Sequence, residues 1–447
     1  MALPLEDQVV QTDAEPTKET ITYQRRKKKH PGRTALPNNI PTEEITIEPE
    51  VDTTDMKRLG EDITETIDYR PEVLLKRRYI RPKYVRKEEQ EQVNQPTVVI
   101  APMPERPIAK GIAEAGLLAH LMVAKYVDHL PFYRQIQQFQ HQHGWEVHKA
   151  TINDWFAACC SLLEPLYDAL EQEVMQTDYL QADESPIKVL DSVKKGKAHQ
   201  GYMWVYRNPV NGLVLFDYRK GRGMRGPEGR LADFQGHLQC DGYRGYKALV
   251  RKRNGAITLV SCLAHIRRKF YDAHEHHPEL AKNALNLIQQ LYALERIYRE
   301  ANLSYDQRQQ KRHQEARPII ENLITWVRTE QANNLSKGPI GKALLYAKNE
   351  LPNLLAYLDD GRIEIDINLI ENAIRPLGRK NYLFAGSHQG AQRAAMVYTF
   401  FGSCKALDIN PWAWLQDVLQ RTPEHPVNRI HELLPNHWNT TNQTIKV

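Results

Sequence analysis

At Tyr179 the spacing of apolar residues changes from a helical period to a strand period, and no all-helical or all-strand fold accommodates both sides of that break. Upstream, residues 112–176 read IAEAGLLAHLMVAKYVDHL, FYRQIQQFQHQHG and KATINDWFAACCSLLEPLYDALEQEVM, with apolar positions recurring every three to four residues. Gly144 ends the second stretch, and Thr151 or the polar residues before it open the third. Downstream, DYLQADESPIKVLD, GYMWVYRNP and LVLFDYRKG are apolar runs separated by turn residues, the pattern of an antiparallel meander. PEGRLADFQ then reads as a short helix, HLQCDGYRGY as a strand ending at Asp241-Gly242, and AITLVSCLAHIRRKFYDA as a strand passing into a helix. Strands followed by alternating strand and helix imply an α/β layer around a mixed sheet.

The remaining stretches divide the chain further. Residues 1–58 are polar, carry the basic run Arg25-Arg26-Lys27-Lys28-Lys29 and hold too little apolar surface for a core, so a disordered basic segment is expected. Residues 59–95 alternate around Ile63, Ile67, Val73 and Leu75 before turning basic, which suits two or three short strands in a small β-rich basic segment. Prolines 96, 102, 104 and 107 make 96–110 a linker. A helical region at 111–176 follows, its helix, glycine turn and helix resembling a helix-turn-helix that sets a recognition helix in a DNA groove. The α/β layer begins at 177–271, pauses for a helical insertion at 272–360, resumes at 361–420 and leaves a tail at 421–447. INLIENAIRPLGRKNYLF and RAAMVYTFFGSCKALDI are helices flanking a loop with Gly386 and Gly390.

Bulk properties narrow the function. A chain of 447 residues with net charge +5 and pI near 8.7 is only mildly basic, but its cations are clustered, which favours a nucleic-acid partner. The cysteines Cys159, Cys160, Cys240, Cys262 and Cys404 form no C-x-x-C pair, so a reduced, cytoplasmic setting is expected. No signal-peptide pattern opens the sequence and no apolar run approaches membrane-spanning length, so a soluble, unexported protein is expected.

Three acids stand out. Cutting or joining a phosphodiester requires charge stabilisation on the attacking and leaving oxygens, which two Mg2+ ions roughly 4 Å apart provide. Such ions need hard oxygen ligands on rigid elements. Asp183 follows an apolar run, Asp241 closes a later strand, and Glu371 occupies a late helix with Asn368 and Arg375 a turn to either side. Among 55 acidic residues most are solvated surface groups, Asp241-Gly242 reads equally as a turn, and Glu364 and Asp366 rival Glu371.

QADESPIKV, CDGYRGYKAL, SCLAHIRRKFYDA, NLIENAIRPLGRKNYLFAGSHQGAQRAA and the upstream LPFYRQIQQF resemble the transposases of insertion-sequence family 66, bacterial D-D-E recombinases. The resemblance runs from about residue 59 to 420. It implies a ribonuclease-H-like catalytic domain with a helical insertion, DNA strand cleavage and transfer, and a requirement for Mg2+, with Mn2+ as a substitute. The family's acid triad, which is also its metal-ligand set, falls on Asp183, Asp241 and Glu371. Family members carry a cysteine-rich zinc segment ahead of LGEDITETIDYRPE, whereas residues 41–58 here contain no cysteine, so no zinc is expected.

The expected partner is double-stranded DNA, both transposon ends and target, in the nucleoid, with a homodimer in the synaptic complex, accessory proteins of the same element, and no membrane. DNA contacts are expected from His265, Arg267, Arg268 and Lys269 after a strand, from Arg375, Arg379 and Lys380 beside Glu371, and from Lys149 at a helix start. Arg78 and Arg81 belong to a basic run interleaved with Tyr79, Ile80 and Tyr84, suited to phosphates or else merely solubilising. Trp326 reads as a base-stacking residue or, more blandly, as core. Two rival functions remain open: a nuclease that cleaves without joining, and a DNA-binding regulator descended from a transposase.

Overall fold

A computed structural model describes residues 40–70, 73–86, 98–190, 197–378 and 384–438, all within one compact unit. The basic run at 25–29 and the candidates Arg379 and Lys380 lie outside the described residues.

The first sheet contains β1 (Thr42–Thr46), β2 (Met56–Arg70), β3 (Val73–Arg86) and β4 (Val98–Ile100). β2 and β3 form a long antiparallel ribbon, β1 runs parallel to β3, and β4 pairs antiparallel with the end of β3. These strands are longer than the short ones expected at 59–95. Residues 42–46, expected among the disordered residues, form a strand, and so do 98–100 of the expected linker. The reason is pairing: β1 is mostly polar and β4 very short, but β3 supplies backbone partners for both.

Three helices follow: α1 (Ala115–Tyr126), α2 (Phe132–His143) and α3 (Lys149–Met175). Gly144 takes φ 63° after α2, the left-handed conformation that lets the chain turn towards α3. The backbone of Ile67 on β2 is bonded to Ile112 and Glu114, which joins the first sheet to α1. The helices are not a free-standing module. α3 buries Trp155, Phe156, Leu163, Leu166 and Leu170, and its Tyr167 hydroxyl donates to the Phe216 carbonyl of the second sheet at 2.8 Å.

The second sheet has the order β7-β6-β5-β8-β9. β5 (Tyr179–Leu190), β6 (Ala198–Arg207) and β7 (Val214–Arg219) are antiparallel neighbours, whereas β8 (Gly236–Cys240) and β9 (Ile257–Ser261) run parallel to β5. The chain is thus a mixed α/β protein, as its sequence implies. Between strands lie α4 (Arg225–Arg230) and α5 (Arg244–Lys252), the latter a helix where the sequence reading ends at a strand and turn. α6 (Leu263–Ala273) follows β9.

The helices α7 (Pro278–Glu300), α8 (Tyr305–Lys311), α9 (Arg317–Asn333) and α10 (Pro339–Leu354) form the insertion. They share a core with the sheet through Val260, Leu263, Phe270, Ile288, Leu323 and Leu344. Trp326 is half-buried against this core, 6.0 Å from the Phe270 ring, in keeping with the core reading. α11 (Asn368–Ile374) is short, and α12 (His388–Ala406) and α13 (Pro411–Arg421) follow it. α12 covers the outer edge of β7: Thr399 Oγ1 and Ser403 Oγ accept from Phe216 N and Val214 N at 2.8 and 3.0 Å. Side-chain hydroxyls therefore stand in for a missing strand at that edge.

Candidate active site

β5 and β8 are adjacent parallel strands, so the end of β8 brings Asp241 beside Asp183, which lies within β5. Asp183 lies on β5 opposite Val205 of β6, and Asp241 is the first residue after β8. Gly242 is required by a close approach: a Cβ there would stand 2.9 Å from Glu350 Oε1 and from the Tyr346 ring, both on α10. Asp241 Oδ1 accepts from Tyr243 N at 2.9 Å, which fixes the carboxylate against its own turn.

Glu371 arrives from the far side of the insertion. The returning chain is bonded beneath the sheet by buried amides: Gln181 Nε2 donates to the Asp366 carbonyl at 3.2 Å, and Gln239 Nε2 to the Glu364 carbonyl at 2.6 Å. Tyr179 OH donates to Gln239 Oε1 at 2.7 Å and accepts from Glu364 N at 2.9 Å. Asp366 Oδ1 accepts from Asn368 N at 2.9 Å and Oδ2 from Tyr292 OH at 2.8 Å, which ties the entry of α11 to the insertion. Glu364 pairs with Arg308 at 4.0 Å. Both rivals of Glu371 are thus occupied in docking the insertion, while Glu371 keeps a side chain 30% exposed.

The acids act on one another electrostatically. Asp183 is pushed up to about 8, by burial first, then by the charges of Glu184 and Asp241, with Glu371 adding to them. Its one hydrogen bond among the described residues comes from the Glu184 backbone N–H at 2.8 Å. Burial also raises Glu184, with Asp241 adding to it and Arg222 opposing. The Cys240 thiol is raised by burial and by the carboxylates of Asp241, Glu350, Glu184 and Asp183 around it. Among the described residues no group of three or more His, Cys, Asp or Glu side chains is drawn into metal-ligand geometry.

Of the expected DNA contacts, His265 and Arg268 on α6 reach the acid cluster, with His265 Nε2 3.7 Å and Arg268 Nη2 3.9 Å from the Glu371 carboxylate. Arg267 and Lys269 are exposed on the same helix, beside the Tyr271 and Tyr346 rings, and Arg375 is exposed just past α11. Lys149 is exposed at the start of α3, away from the acids and near Lys125, which burial foremost and then its charge lower to about 8. Arg78 and Arg81 belong to the first sheet and are engaged there: Arg78 with Glu44 and Glu65 at 3.0 and 3.1 Å, Arg81 with Asp62 at 2.7 Å.

Residues 110–393 match the model of the Transposase IS66 family, and residues 399–436 match the IS66 C-terminal element. The chain belongs to the IS66 transposase family. It is similar to proteins of Sinorhizobium fredii (strain NBRC 101917 / NGR234) named "Uncharacterized protein y4jD", y4hP and y4qI. It is 32% identical to y4jD over 90% of this chain and 81% of that protein, and 30% identical to y4hP over 92% and 78%. Identity to y4qI is 33% over 89% and 75%. Family membership carries a transposase role and hence a DNA partner. Among the described residues no helix is long and apolar enough to cross a membrane.

Sequence reasoning missed several residues that the fold of this IS66-family chain brings beside these acids: Glu184, Arg222, Lys247, Tyr346 and Glu350. Lys247 of α5 pairs with Glu350, which also accepts from Ser261 Oγ at 3.0 Å. The insertion thereby contacts the turn that carries Asp241. Glu184 had a signal, lying beside Asp183; Glu350 had none, because only folding brings residue 350 against residue 242.

Proposed function

We propose that the protein is a D-D-E transposase that cleaves DNA at the ends of a mobile element and joins the freed 3′-hydroxyl to target DNA, using Asp183, Asp241 and Glu371. The observation that carries this reading is the convergence of carboxylates where β8 ends beside Asp183 of β5, at a site where burial first, and then the neighbouring charges, push Asp183 up to about 8. Like charges held this close are favoured where a cation is to be received or a proton shared. The donors are all carboxylate oxygens, hard ligands suited in kind to Mg2+ or Mn2+, and Asp183, Asp241 and Glu371 would have to close together to hold such a cation. Bound there, paired ions would stabilise charge on the attacking and leaving oxygens of a phosphodiester.

The sheet order, three antiparallel strands and then two parallel ones with the acids on β5 and after β8, supports a ribonuclease-H-like core. Asp183 is held within a central strand. Asp241 is aimed by its bond from Tyr243 N, and Glu371 by the amide layer under α11. His265 and Arg268 flank Glu371 and keep its carboxylate oriented, and exposed Arg267, Lys269 and Arg375 line a path for the DNA backbone. α3, largely occupied by core contacts, offers Lys149 and Asn153 at its exposed start for contact with DNA.

The test is Glu371→Gln in a strand-transfer assay with a labelled 3′-hydroxyl end, Mg2+ and a target plasmid. Loss of product by on the order of a thousandfold, with DNA binding retained, is expected. Transfer at the parental rate would remove Glu371 from the triad. Cleavage without joining by the unsubstituted protein would instead support the nuclease reading.

A further inference from the structure

Arg222 sits in the loop between β7 and α4, on the rim of the acid cluster. Its Nε donates to Glu184 Oε1 at 2.8 Å, and Nη2 lies 2.6 Å from the same oxygen. The two partners differ sharply in exposure: the Glu184 side chain is 2% exposed and that of Arg222 48%. The guanidinium carbon stands 4.4 Å from the centroid of the Tyr243 ring, and the Tyr243 hydroxyl donates to the Arg222 carbonyl. Ring and carboxylate therefore hold the guanidinium from two sides, and the loop is tied to the turn that presents Asp241. Nη1 makes no hydrogen bond among the described residues. The flanking glycines border open space, since a Cβ on Gly221 or Gly223 would meet nothing within 4 Å.

A cation whose only task was to neutralise buried Glu184 would gain by being buried with it, because a low-dielectric surrounding strengthens the pair. Here the acid is inside and half of the base faces solvent, beside carboxylates that alone would repel a phosphate. A planar guanidinium can hold a carboxylate with one edge and offer its remaining N–H groups to a second oxyanion. We infer that Arg222 is a DNA-phosphate contact, oriented by Glu184 and Tyr243, that seats the strand next to Asp183 and Asp241. This rests on the transposase reading, since it supplies the positive charge that an acid pocket needs in order to admit DNA. The chemistry recognised is a backbone phosphate, without regard to base sequence.

The experiment measures binding of a fluorescent mixed-sequence DNA duplex, without divalent metal, across a series of salt concentrations for the full chain and for Arg222→Ala, Arg222→Gln and Arg222→Lys. Gln keeps a hydrogen bond to Glu184 without the charge, so it decides the question if the alanine variant is poorly folded. Expected are roughly tenfold weaker binding for Ala and Gln and a slope of log K on log salt shallower by about 0.9, with Lys retaining the parental slope. Parental slopes and affinities in folded Ala or Gln variants would overturn the phosphate contact while leaving the transposase reading intact. An unsubstituted protein that binds no duplex at any salt would overturn both.

Discussion

The β2–β3 ribbon and the rim of the acid cluster are both dense in arginine, yet they handle charge in opposite ways. In the ribbon, strand register sets each base against an acid: Arg78 faces Glu65 and Arg81 faces Asp62 directly across the ladder, and Arg77 reaches Glu43 and buried Asp68. At the rim, Arg268 is 62% exposed and 3.9 Å from Glu371, Arg267 is exposed beside the Tyr271 ring, and Arg375 is exposed. A run of cations in a sequence thus says little about phosphate binding until its opposite strand is known. Charges matched inside the fold stabilise it, whereas charges left at its edge remain available to a ligand.

The largest expected effect that would break this contrast is on stability. Arg77→Ala removes the ion-pair partner of Asp68, whose side chain is 1% exposed and keeps the backbone donors Tyr69 N and Leu117 N, and should lower the unfolding free energy in urea by about 3 kcal/mol. Arg268→Ala should change it by less than about 0.5 kcal/mol. Equal losses would erase the distinction between the regions.

The next effect concerns the acids themselves. Because the Asp183 carboxyl is raised from 3.8 to about 8 on folding, the native state binds a proton that the unfolded state has released between those values. Stability attributable to this group is therefore present at low pH and lost as pH rises towards 8. In chelator, Asp183→Asn should raise the melting temperature by several degrees at pH 8 and by little at pH 4, and adding Mg2+ should stabilise the parental protein more at the higher pH. A pH-independent difference between the two proteins would indicate that neither burial nor the neighbouring acids act on Asp183.

The smallest effect sharpens the comparison directly. Arg268→Ala should flatten the salt dependence of duplex binding by about one phosphate contact, whereas Arg78→Ala and Arg81→Ala should leave the slope unchanged. The reverse order would move the DNA path onto the ribbon.

Much of the architecture could be read from the chain, and for a physical reason. Apolar periodicity reports directly which face of an element is buried, so the meander from Tyr179, the helices of 112–176 and the insertion were all legible. Elements held by partners rather than by their own pattern were not. β1 and β4 exist because β3 pairs with them, and α5 is a short helix directly after the Asp241-Gly242 turn. The presumed recognition helix α3 had an apolar stripe broad enough to signal burial against a sheet, but its partner lies more than forty residues downstream.

The sequence by itself determined which acids were available and on what kind of element each would lie, since strand ends and helix starts are local properties. Tertiary structure alone decided that the Gln181–Gln239 amide layer aims α11, that Asp366 and Glu364 dock the insertion while Glu371 stays partly exposed beside His265 and Arg268, and that Glu350 meets Gly242. It likewise decided which arginines were matched by acids. Long-range pairing depends on where distant segments come to rest, and a side chain's charge acts through space, whatever its distance along the chain.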